Sequence, residues 1–488
     1  MFVSPQRSAS SHVAILPGRG LATALVLTAC VLLNRPALAD SLIPAQTAAV
    51  DAAVTRQLSA QHVPGISIAI ERDGQVLYAH GYGYRDVADA KPVDSSTYFE
   101  IGSITKQFTA TAVALLVDDG KMHFDDRVAT YLPDVPHAAE ITIAELLNHT
   151  SGLHDYLDES GVVAFVHSTT AKPADLYGLV AGLPLDFAPG TEFAYSNTNY
   201  VVLGAIIERI SGMAFADFLR KRVFDSTSFS GISYGEPAGK TVAFGYGAAD
   251  PAKPLTIWSS NVSFAAGALW ATPSDITRWD DAFFNGRVVP PAMVLRLTTP
   301  PTLPYAKKTT YAAGWIVDAV DGHPEIWHNG GIPGFNTRNA YFPDEHLAVV
   351  VFGNTAPFVA TSITRDIFRT IVPLTAAQLA AESAPAPNED PAITARVREQ
   401  WNETAGGHID RSLYDPATSA RLPDTLVAAV GAQLAQLGSP TQFVFVKKTV
   451  LPMGTVYVYR VVTPDATVQM TLSINDQDKI NGIFFKPA

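Results

Sequence analysis

Hydrophobic and polar residues follow two different periods along this chain, and the changes of period predict its secondary structure. Two apolar runs within residues 63–84 flank an Asp73-Gly74 pair, which predicts a β-hairpin. From about residue 99 to residue 300 the pattern is mostly helical, with clear helices predicted at 198–210 and 272–284. From residue 311 the pattern predicts four strands and a closing helix, at 313–317, 325–328, 337–342, 347–352 and about 360–371.

The order of these elements predicts a mixed α/β (α+β) fold with two domains. Strands, then helices, then strands with a closing helix indicate an antiparallel sheet flanked by its terminal helices, with an all-helical subdomain inserted. We assign this domain to residues 40–374, and a linker rich in alanine, proline and acidic residues follows at 375–391. Residues 392–488 predict a small α+β domain, with helices at about 391–402 and 423–436 and strands at 442–449, 455–462 and 467–474.

Residues 1–39 have the layout of a secretory signal peptide. Arg7 and Arg19 precede an uncharged apolar run, Leu21–Leu33, and small residues at 37–39 provide a cleavage site. The predicted location is therefore periplasmic or secreted, in a bacterium, with no stable membrane insertion after cleavage. The alternative is a lipoprotein anchored at Cys30, although the apolar run continues past this cysteine, where a polar residue is expected.

Composition narrows the partners and cofactors. The formal net charge is −12, and no run of lysine and arginine is present, which argues against nucleic acid as a partner. The single cysteine, Cys30, would leave with the signal peptide, so the mature chain has no disulfide and no thiol nucleophile. His149, His154 and Asp155 lie close together in sequence without a further ligand cluster, and we predict neither a metal nor another cofactor. The oligomeric state is left open.

Ser103 and Lys106 form a Ser-x-x-Lys pair at the start of an apolar helix. Residues three apart share a helix face, so the two side chains are expected one turn apart. A serine at a helix N-terminus gains from the backbone N–H groups there, and a lysine held against Phe108 and the helix core loses solvation. Its neutral amine could then take the serine proton. The alternative is an exposed lysine beside an N-cap serine.

The segment Tyr195-Ser196-Asn197 lies between a Pro-Gly turn and a predicted helix. A phenol here could relay a proton to a leaving group, and a carboxamide could both accept and donate hydrogen bonds. The alternative is that Asn197 caps the helix and Tyr195 is a packed surface aromatic.

The segment IWHNGGIPGF, residues 326–335, ends a predicted strand in a glycine-rich stretch. By itself, Asn329-Gly330 predicts a hairpin corner with His328 as a bystander. Glycines at this point would also let a substrate backbone approach the strand edge and meet exposed N–H donors.

Taken in order, Ser103-x-x-Lys106, Tyr195-x-Asn197 and His328-x-Gly330 resemble the three motifs of the serine β-lactamase and penicillin-binding protein superfamily. The Tyr-x-Asn form is similar to the branch that contains class C β-lactamases, D,D-peptidases, D-aminopeptidases and β-lactamase-like esterases. The surrounding segments LLNHTSGL at 146–153 and Gly314-Trp315 support it. The resemblance covers about residues 45–372 and implies a β-lactamase/transpeptidase-like fold.

This resemblance implies a role for each matching side chain. Ser103 would attack a carbonyl carbon and become the acyl-enzyme, and Lys106 and Tyr195 would share the general-base and general-acid roles between them. Asn197 would hydrogen-bond the acyl side of the substrate and help to place Lys106.

The third motif implies the rest of the site. The backbone N–H groups of Gly331 and Ser103 would form the oxyanion hole, and Asn329 and Gly330 would bind substrate along the strand edge. The departure from the family pattern is His328, because class C β-lactamases and many penicillin-binding proteins have lysine there. We expect this histidine to titrate near its ordinary pKa of about 6.5 and to give activity a pH-dependent limb.

Together with the predicted signal peptide, the resemblance implies an exported serine hydrolase that acts without cofactor on a small amide or ester. The leading substrate is a D-amino-acid peptide related to the cell wall, as for a D,D-peptidase or D-aminopeptidase. A β-lactamase-like esterase or a weak β-lactamase is the alternative within this class. A hypothesis from another class is a non-catalytic binder or sensor of cell-wall fragments, in which the C-terminal domain could recruit a partner or cover the cleft. In each case the ligand is a small molecule or short peptide.

Overall fold

The computed structural model describes residues 41–225, 231–247, 253–304, 309–356, 360–376, 378, 384–451, 454–464 and 467–487. The predicted signal peptide and Cys30 lie outside the described residues. In the described part, no helix is both long and apolar enough to cross a membrane. The helices are Pro44–Ala60, Thr105–Asp118, Ile143–Leu147, Pro173–Tyr177, Asn197–Ser211, Phe215–Leu219, Ser260–Gly267, Pro273–Phe284, Pro291–Leu297, Ala360–Ile371, Pro391–Ala405, Pro416–Ala420 and Asp424–Gln436.

A seven-stranded antiparallel sheet forms the centre of the fold, in the spatial order β3-β2-β1-β10-β9-β8-β7. Strands from the two ends of the region therefore pair with each other, with β1 beside β10, and the chain between them supplies the helical part. The strands are β1 Gly65–Arg72, β2 Gln75–Asp86, β3 Lys91–Pro92, β7 Ile316–Val320, β8 His323–Ile332, β9 Phe335–Phe342 and β10 Leu347–Gly353. A small sheet of β4 Phe99–Glu100, β5 Ser233–Tyr234 and β6 Leu269–Ala271 lies in the order β4-β6-β5.

The large sheet is covered on both faces, which explains why β1 and β10 are almost continuously apolar. The helices Pro44–Ala60 and Ala360–Ile371 pack on one face, with Val54, Ile68 and Ile367 in a shared core. The opposite core contains the helical region, including Phe108 and Trp279. The mixed α+β class with an antiparallel sheet and flanking helices, predicted from the sequence, is confirmed.

Several predicted elements lie where the pattern places them, with local reasons in the sequence. The hairpin turns at Asp73 and Gly74, which both adopt positive φ. The helix predicted at 198–210 spans Asn197–Ser211 and ends at Gly212, whose φ is 68°. The helix predicted at 272–284 spans Pro273–Phe284, and the Thr272 side chain caps it.

Two local predictions around the third motif are wrong. The strand predicted at 313–317 spans 316–320, because Gly314 turns at φ 76° and a Cβ there would lie 2.7 Å from the Lys106 carbonyl oxygen. Asn329-Gly330 is not a hairpin corner, since β8 continues to Ile332. The chain turns at Pro333-Gly334 instead, where Gly334 has φ 87° and Ile332 pairs with Phe335.

The C-terminal part of the chain contains a four-stranded antiparallel meander, β11-β12-β13-β14. Its strands are β11 Gln442–Leu451, β12 Gly454–Val462, β13 Thr467–Ile474 and β14 Ile480–Pro487. The first three match the predicted strands, while β14 was not predicted. The sheet and the helix Pro391–Ala405 share a core of their own around Trp401 and Tyr459.

Candidate active site

Ser103 and Lys106 lie one turn apart, as their spacing predicts. Ser103 belongs to a short 3-10 turn, Gly102–Ile104, that leads directly into the helix Thr105–Asp118. The Lys106 side chain is fully buried, and its Nζ lies 3.0 Å from Ser103 Oγ. The alternative of an exposed lysine beside a capping serine is therefore wrong.

The contacts of Lys106 suit an uncharged amine. Its Nζ donates to Asn197 Oδ1 and to the Ala266 carbonyl oxygen, each at 2.8 Å. Burial lowers the pKa of Lys106 from 10.5 to about 7, and the nearby charge of Asp155 opposes this shift only in part. A neutral amine has two N–H groups, and these two acceptors use both. Its lone pair is then left to face Ser103 Oγ, where it can accept a proton.

Tyr195 is the second side chain in contact with Ser103. Its hydroxyl oxygen lies 2.9 Å from Ser103 Oγ, and its ring packs 4.3 Å from that of His149. Although 37% of the residue is exposed, its hydroxyl points into the cleft, where Lys106 Nζ lies 4.9 Å from the ring centroid. Burial of the hydroxyl raises the pKa of Tyr195 well above its ordinary value, so the phenol holds its proton at neutral pH.

Asn197 links Lys106 to an acidic residue. It is the first residue of its helix, and Ser196 occupies the N-cap position, so the capping alternative for Asn197 is wrong. Its Oδ1 accepts from Lys106, and its Nδ2 donates to Asp155 Oδ2 at 2.8 Å. The carboxamide thus contacts the amine on one side and a carboxylate on the other.

His328 lies in the same cluster but is buried, with 3% of its surface exposed. Its Nε2 lies 2.9 Å from the Tyr311 hydroxyl and its Nδ1 lies 2.6 Å from the Asn329 carbonyl oxygen. Burial, followed by the charges of Lys106 and Arg338, lowers the pKa of His328 to about 3. The expectation that His328 titrates near 6.5 is wrong, because the expectation assumed a solvated ring.

The second half of β8 has an open edge. On one side β8 pairs with β9 along residues 326–332, whereas on the other β7 pairs only with residues 323–327. Among the residues that the structure describes, no strand pairs with the edge of residues 328–332 that would face β7. Ile332 and Phe335 close a two-residue hairpin as a hydrogen-bonded pair, so the alternate residue Gly331 directs its N–H toward this open edge.

Two glycines bring this edge against the serine turn. A Cβ on Gly330 would lie 1.9 Å from the Ile101 carbonyl oxygen, so only glycine permits the contact. A Cβ on Gly102, which has φ 52°, would lie 3.0 Å from the Gly331 amide nitrogen. The amide of Gly331 is thus beside the Ser103 turn, and its role as an oxyanion donor stays a prediction.

The third-motif side chains divide between the two faces of the sheet, since neighbouring residues of a strand point in opposite directions. His328 faces Tyr311 and Tyr195, whereas Asn329 is exposed and its Oδ1 accepts from Arg338 at 3.1 Å. The structure does not bring the Asn329 side chain to Ser103, and this residue can meet a ligand in the cleft only through its backbone.

Three residues around the cluster have no place in the predicted set. Asp155 accepts a hydrogen bond from Asn197, Tyr311 is hydrogen-bonded to His328, and the His149 ring packs against that of Tyr195. The sequence signal for His149 and Asp155 is their place within and just after the LLNHTSGL segment, while Tyr311 has no motif of its own. Among the described residues, no group of three or more histidine, cysteine or acidic side chains could hold a metal ion.

A buried lysine, a phenol and a glycine-rich strand thus surround one serine, and comparison of the sequence with known families shows where the chain belongs. A sequence profile of the Beta-lactamase family matches residues 50–371. The chain belongs to this family. It is accordingly a serine hydrolase with the β-lactamase/transpeptidase-like fold.

Relatives with curated names are distant. Penicillin-binding protein 4* of Bacillus subtilis (strain 168) is 27% identical over 318 residues, which cover 61% of this chain and 69% of that protein. Unguisins hydrolase ungD' of Aspergillus campestris (strain IBT 28561) is 29% identical over 335 residues, covering 62% of this chain and 60% of that protein. These relatives share the family but differ in the activities that their names describe.

Solved structures agree on the fold. D-amino acid amidase from Ochrobactrum anthropi SV3, in complex with L-phenylalanine amide, aligns with a TM-score of 0.59 and 23% identity, covering 67% of this chain and 99% of that one. The octameric penicillin-binding protein homologue from Pyrococcus abyssi aligns with a TM-score of 0.61 and 19% identity, covering 90% of this chain and 100% of that one. At these identities the likeness shows the fold alone.

Proposed function

We propose that this serine hydrolase forms an acyl-enzyme on Ser103 and acts on small amides or esters of D-amino acids whose leaving side is uncharged. The observation that carries the proposal is the double contact of Ser103 Oγ, 3.0 Å from Lys106 Nζ and 2.9 Å from the Tyr195 hydroxyl. One neighbour can take the serine proton while the other holds a proton to give away.

The first half-reaction follows from these contacts. The neutral amine of Lys106 accepts the proton of Ser103 as Oγ attacks the substrate carbonyl carbon. The carbonyl oxygen gains negative charge, which the backbone N–H groups of Ser103 and Gly331 would stabilise. The Tyr195 phenol passes a proton to the leaving nitrogen or oxygen, and an acyl-Ser103 ester remains. In the second half-reaction the Tyr195 phenolate takes a proton from the water molecule that attacks this ester. The Lys106 ammonium returns its proton to Ser103 Oγ as the acyl–oxygen bond breaks, and the carboxylic acid is released.

The neutral His328 of the third motif favours substrates whose leaving group carries no charge. A D,D-carboxypeptidase or β-lactamase substrate carries a carboxylate there, and a lysine in the third motif offers it a permanent cation. His328 is buried and neutral at physiological pH, and its two ring nitrogens contact Tyr311 and Asn329. An unmatched carboxylate beside this ring would lose hydration without gaining an ion pair. Amides, peptides that continue beyond the scissile bond, and esters do not meet this cost.

The test compares matched substrates on the full mature chain. A D-alanyl amide and a D-alanyl peptide with a free C-terminal carboxylate differ at the leaving end, and a short-chain p-nitrophenyl ester and a chromogenic cephalosporin extend the set. We expect kcat/KM for the D-amide to exceed that for the carboxylate peptide by about tenfold or more. A preference for the carboxylate substrate or the cephalosporin would overturn the proposal.

The nucleophile is tested separately. Labelling by a fluorophosphonate should disappear in Ser103→Ala and persist in Ser196→Ala, a matched control in the segment that carries Tyr195. Absence of turnover on all four substrates, with measurable affinity for D-peptides, would instead support the binder hypothesis. Export of the mature chain stays a prediction, and N-terminal sequencing of secreted protein would test cleavage after Ala39.

A further inference from the structure

Asp155 lies directly behind the carboxamide of Asn197. Asn197 Nδ2 donates to Asp155 Oδ2 at 2.8 Å, and Asn197 Oδ1 accepts from Lys106 Nζ at the same distance. A carboxylate only accepts hydrogen bonds, so only the NH2 end of the amide can face it. The oxygen end is thereby directed at Lys106.

We infer that Asp155 is a positioning residue of this site, which acts through the Asn197 carboxamide to orient the Lys106 amine toward Ser103. With the amide turned the other way, its NH2 group would face Lys106 and donate to the amine lone pair. The lone pair would then be unable to accept the Ser103 proton. The inference depends on the proposed function only in that Lys106 serves as the base for Ser103.

The position of Asp155 is fixed on both sides by the helix that carries Asn197. The Tyr156 backbone N–H donates to Thr198 Oγ1 at 2.9 Å, and the Thr198 hydroxyl donates to the His154 carbonyl oxygen at 2.7 Å. Asp155 Oδ1 accepts from the Leu157 backbone N–H at 3.1 Å, so both carboxylate oxygens have defined partners. The residue thus has one oxygen for its own turn and one for the active-site amide.

Asp155 also contributes charge to the site. Tyr195, Tyr200, His149 and His328 surround Lys106, and burial keeps the two histidines neutral by lowering the pKa of each. The negative charge of Asp155 raises the pKa of Lys106 against the larger effect of burial. Removal of this carboxylate should therefore lower the pKa of Lys106 further, in addition to releasing the amide.

The experiment measures the rate at which a fluorophosphonate labels Ser103, as a function of pH, because this readout does not depend on the natural substrate. Asp155→Asn should reduce the labelling rate on the order of tenfold to a hundredfold and move the midpoint of its pH dependence to lower pH. Asp158→Asn is the matched control, since it removes the same charge from an exposed residue of the same turn. It should leave the rate and the midpoint unchanged.

A double-mutant cycle separates positioning from simple support of the loop. If Asp155 acts through Asn197, Asp155→Asn should cause little further loss of rate in an Asn197→Ala background. Asp155→Ser keeps an acceptor for the Leu157 N–H and removes the carboxylate, so it covers the case in which Asp155→Asn does not fold. The inference would be overturned if the fold losses of the two single variants multiplied in the double variant. It would also be overturned by an unchanged midpoint in Asp155→Asn or by a wild-type labelling rate in Asp155→Ser. A failure of D-amide turnover with these labelling effects intact would refute only the proposed substrate.

Discussion

The Tyr311 hydroxyl oxygen lies 2.9 Å from His328 Nε2, and this contact ties the third-motif histidine to a buried aromatic cluster. The other ring nitrogen, Nδ1, faces the Asn329 carbonyl oxygen, which can only accept. Nδ1 therefore carries the hydrogen, and Nε2 accepts from the tyrosine. The ring is a neutral imidazole of one defined tautomer, and a second proton on Nε2 would require the Tyr311 oxygen to accept this hydrogen bond and its hydroxyl to donate elsewhere.

The wild-type enzyme should gain activity as the pH rises through about 7, the value to which burial lowers the pKa of Lys106. Below this pH the amine is protonated and has no lone pair for Ser103, so log kcat/KM should rise with pH and then level off. Measurement from pH 5 to pH 9 with a neutral ester gives the midpoint. A midpoint well below 6 or a flat profile would contradict the assignment.

The limb near pH 7 should survive in His328→Gln, because the histidine pKa of about 3 places its titration far below the measured range. Glutamine is neutral and retains hydrogen-bonding groups, so we expect a modest loss of kcat/KM, roughly tenfold or less, with an unchanged midpoint. Loss of the pH dependence near 7 in this variant would instead assign the titrating group to His328.

His328→Lys should shift the midpoint of the pH dependence of activity. A second ammonium beside Lys106 disfavours the protonated form of the first, so the midpoint should shift to lower pH. The same variant should improve binding of substrates with a carboxylate on the leaving side, measured as KM for the carboxylate peptide against the D-amide. Equal KM changes for both substrates would contradict this expectation.

Gly330→Ala should inactivate the enzyme, because the added Cβ would meet the Ile101 carbonyl oxygen at 1.9 Å and push β8 away from the serine turn. Loss of one oxyanion donor alone costs roughly 10²- to 10³-fold in kcat. The control is Gly182→Ala, where a Cβ would meet nothing within 4 Å. Comparable activity in the two variants would show that the strand contact is not needed.

Lys106→Met should change how stability depends on pH. In wild type the unfolded lysine titrates near 10.5 and the folded one near 7, so between these values only the unfolded chain holds the proton. Raising the pH across this window therefore stabilises the folded state, by up to roughly 1.4 kcal/mol per pH unit. In Lys106→Met this contribution disappears, which urea unfolding at pH 7 and pH 9.5 can measure as a difference between the two proteins. Equal pH dependence in both would argue against a neutral lysine.

Periodicity and turn chemistry predict most of the fold. The hairpin around Asp73 and the helices ending at Gly212 and beginning at Thr272 follow from local residues. The helix-initial position of Asn197 and the late start of β7 do not, because both depend on contacts with the distant Lys106. The strand β14 also escapes prediction, since its residues IFF follow a polar turn and only pairing with β13 selects strand.

The candidate site divides in the same way. Ser103 lies in a 3-10 turn that continues into the helix of Lys106, so their contact one turn apart can be predicted from spacing. The contact between Asn197 and Asp155 joins residues 42 positions apart, and the contact between Tyr311 and His328 joins residues 17 apart. The protonation of His328 depends on its burial, which sequence does not reveal, and this is why its expected titration was wrong.

The open edge of β8 has a further consequence for what the cleft can hold. Within the described part of the chain, residues 328–332 pair with β9 and with no other strand, and Gly331 directs its N–H to the unpaired side. An extended peptide lying along this edge would add one more strand to the sheet through backbone hydrogen bonds, which every peptide can form. Such pairing does not depend on the side chains of the peptide, so it favours a broad range of substrates. Selectivity must then come from the geometry at the scissile carbonyl. There the configuration of the adjacent α-carbon decides whether the carbonyl carbon can lie against Ser103 Oγ.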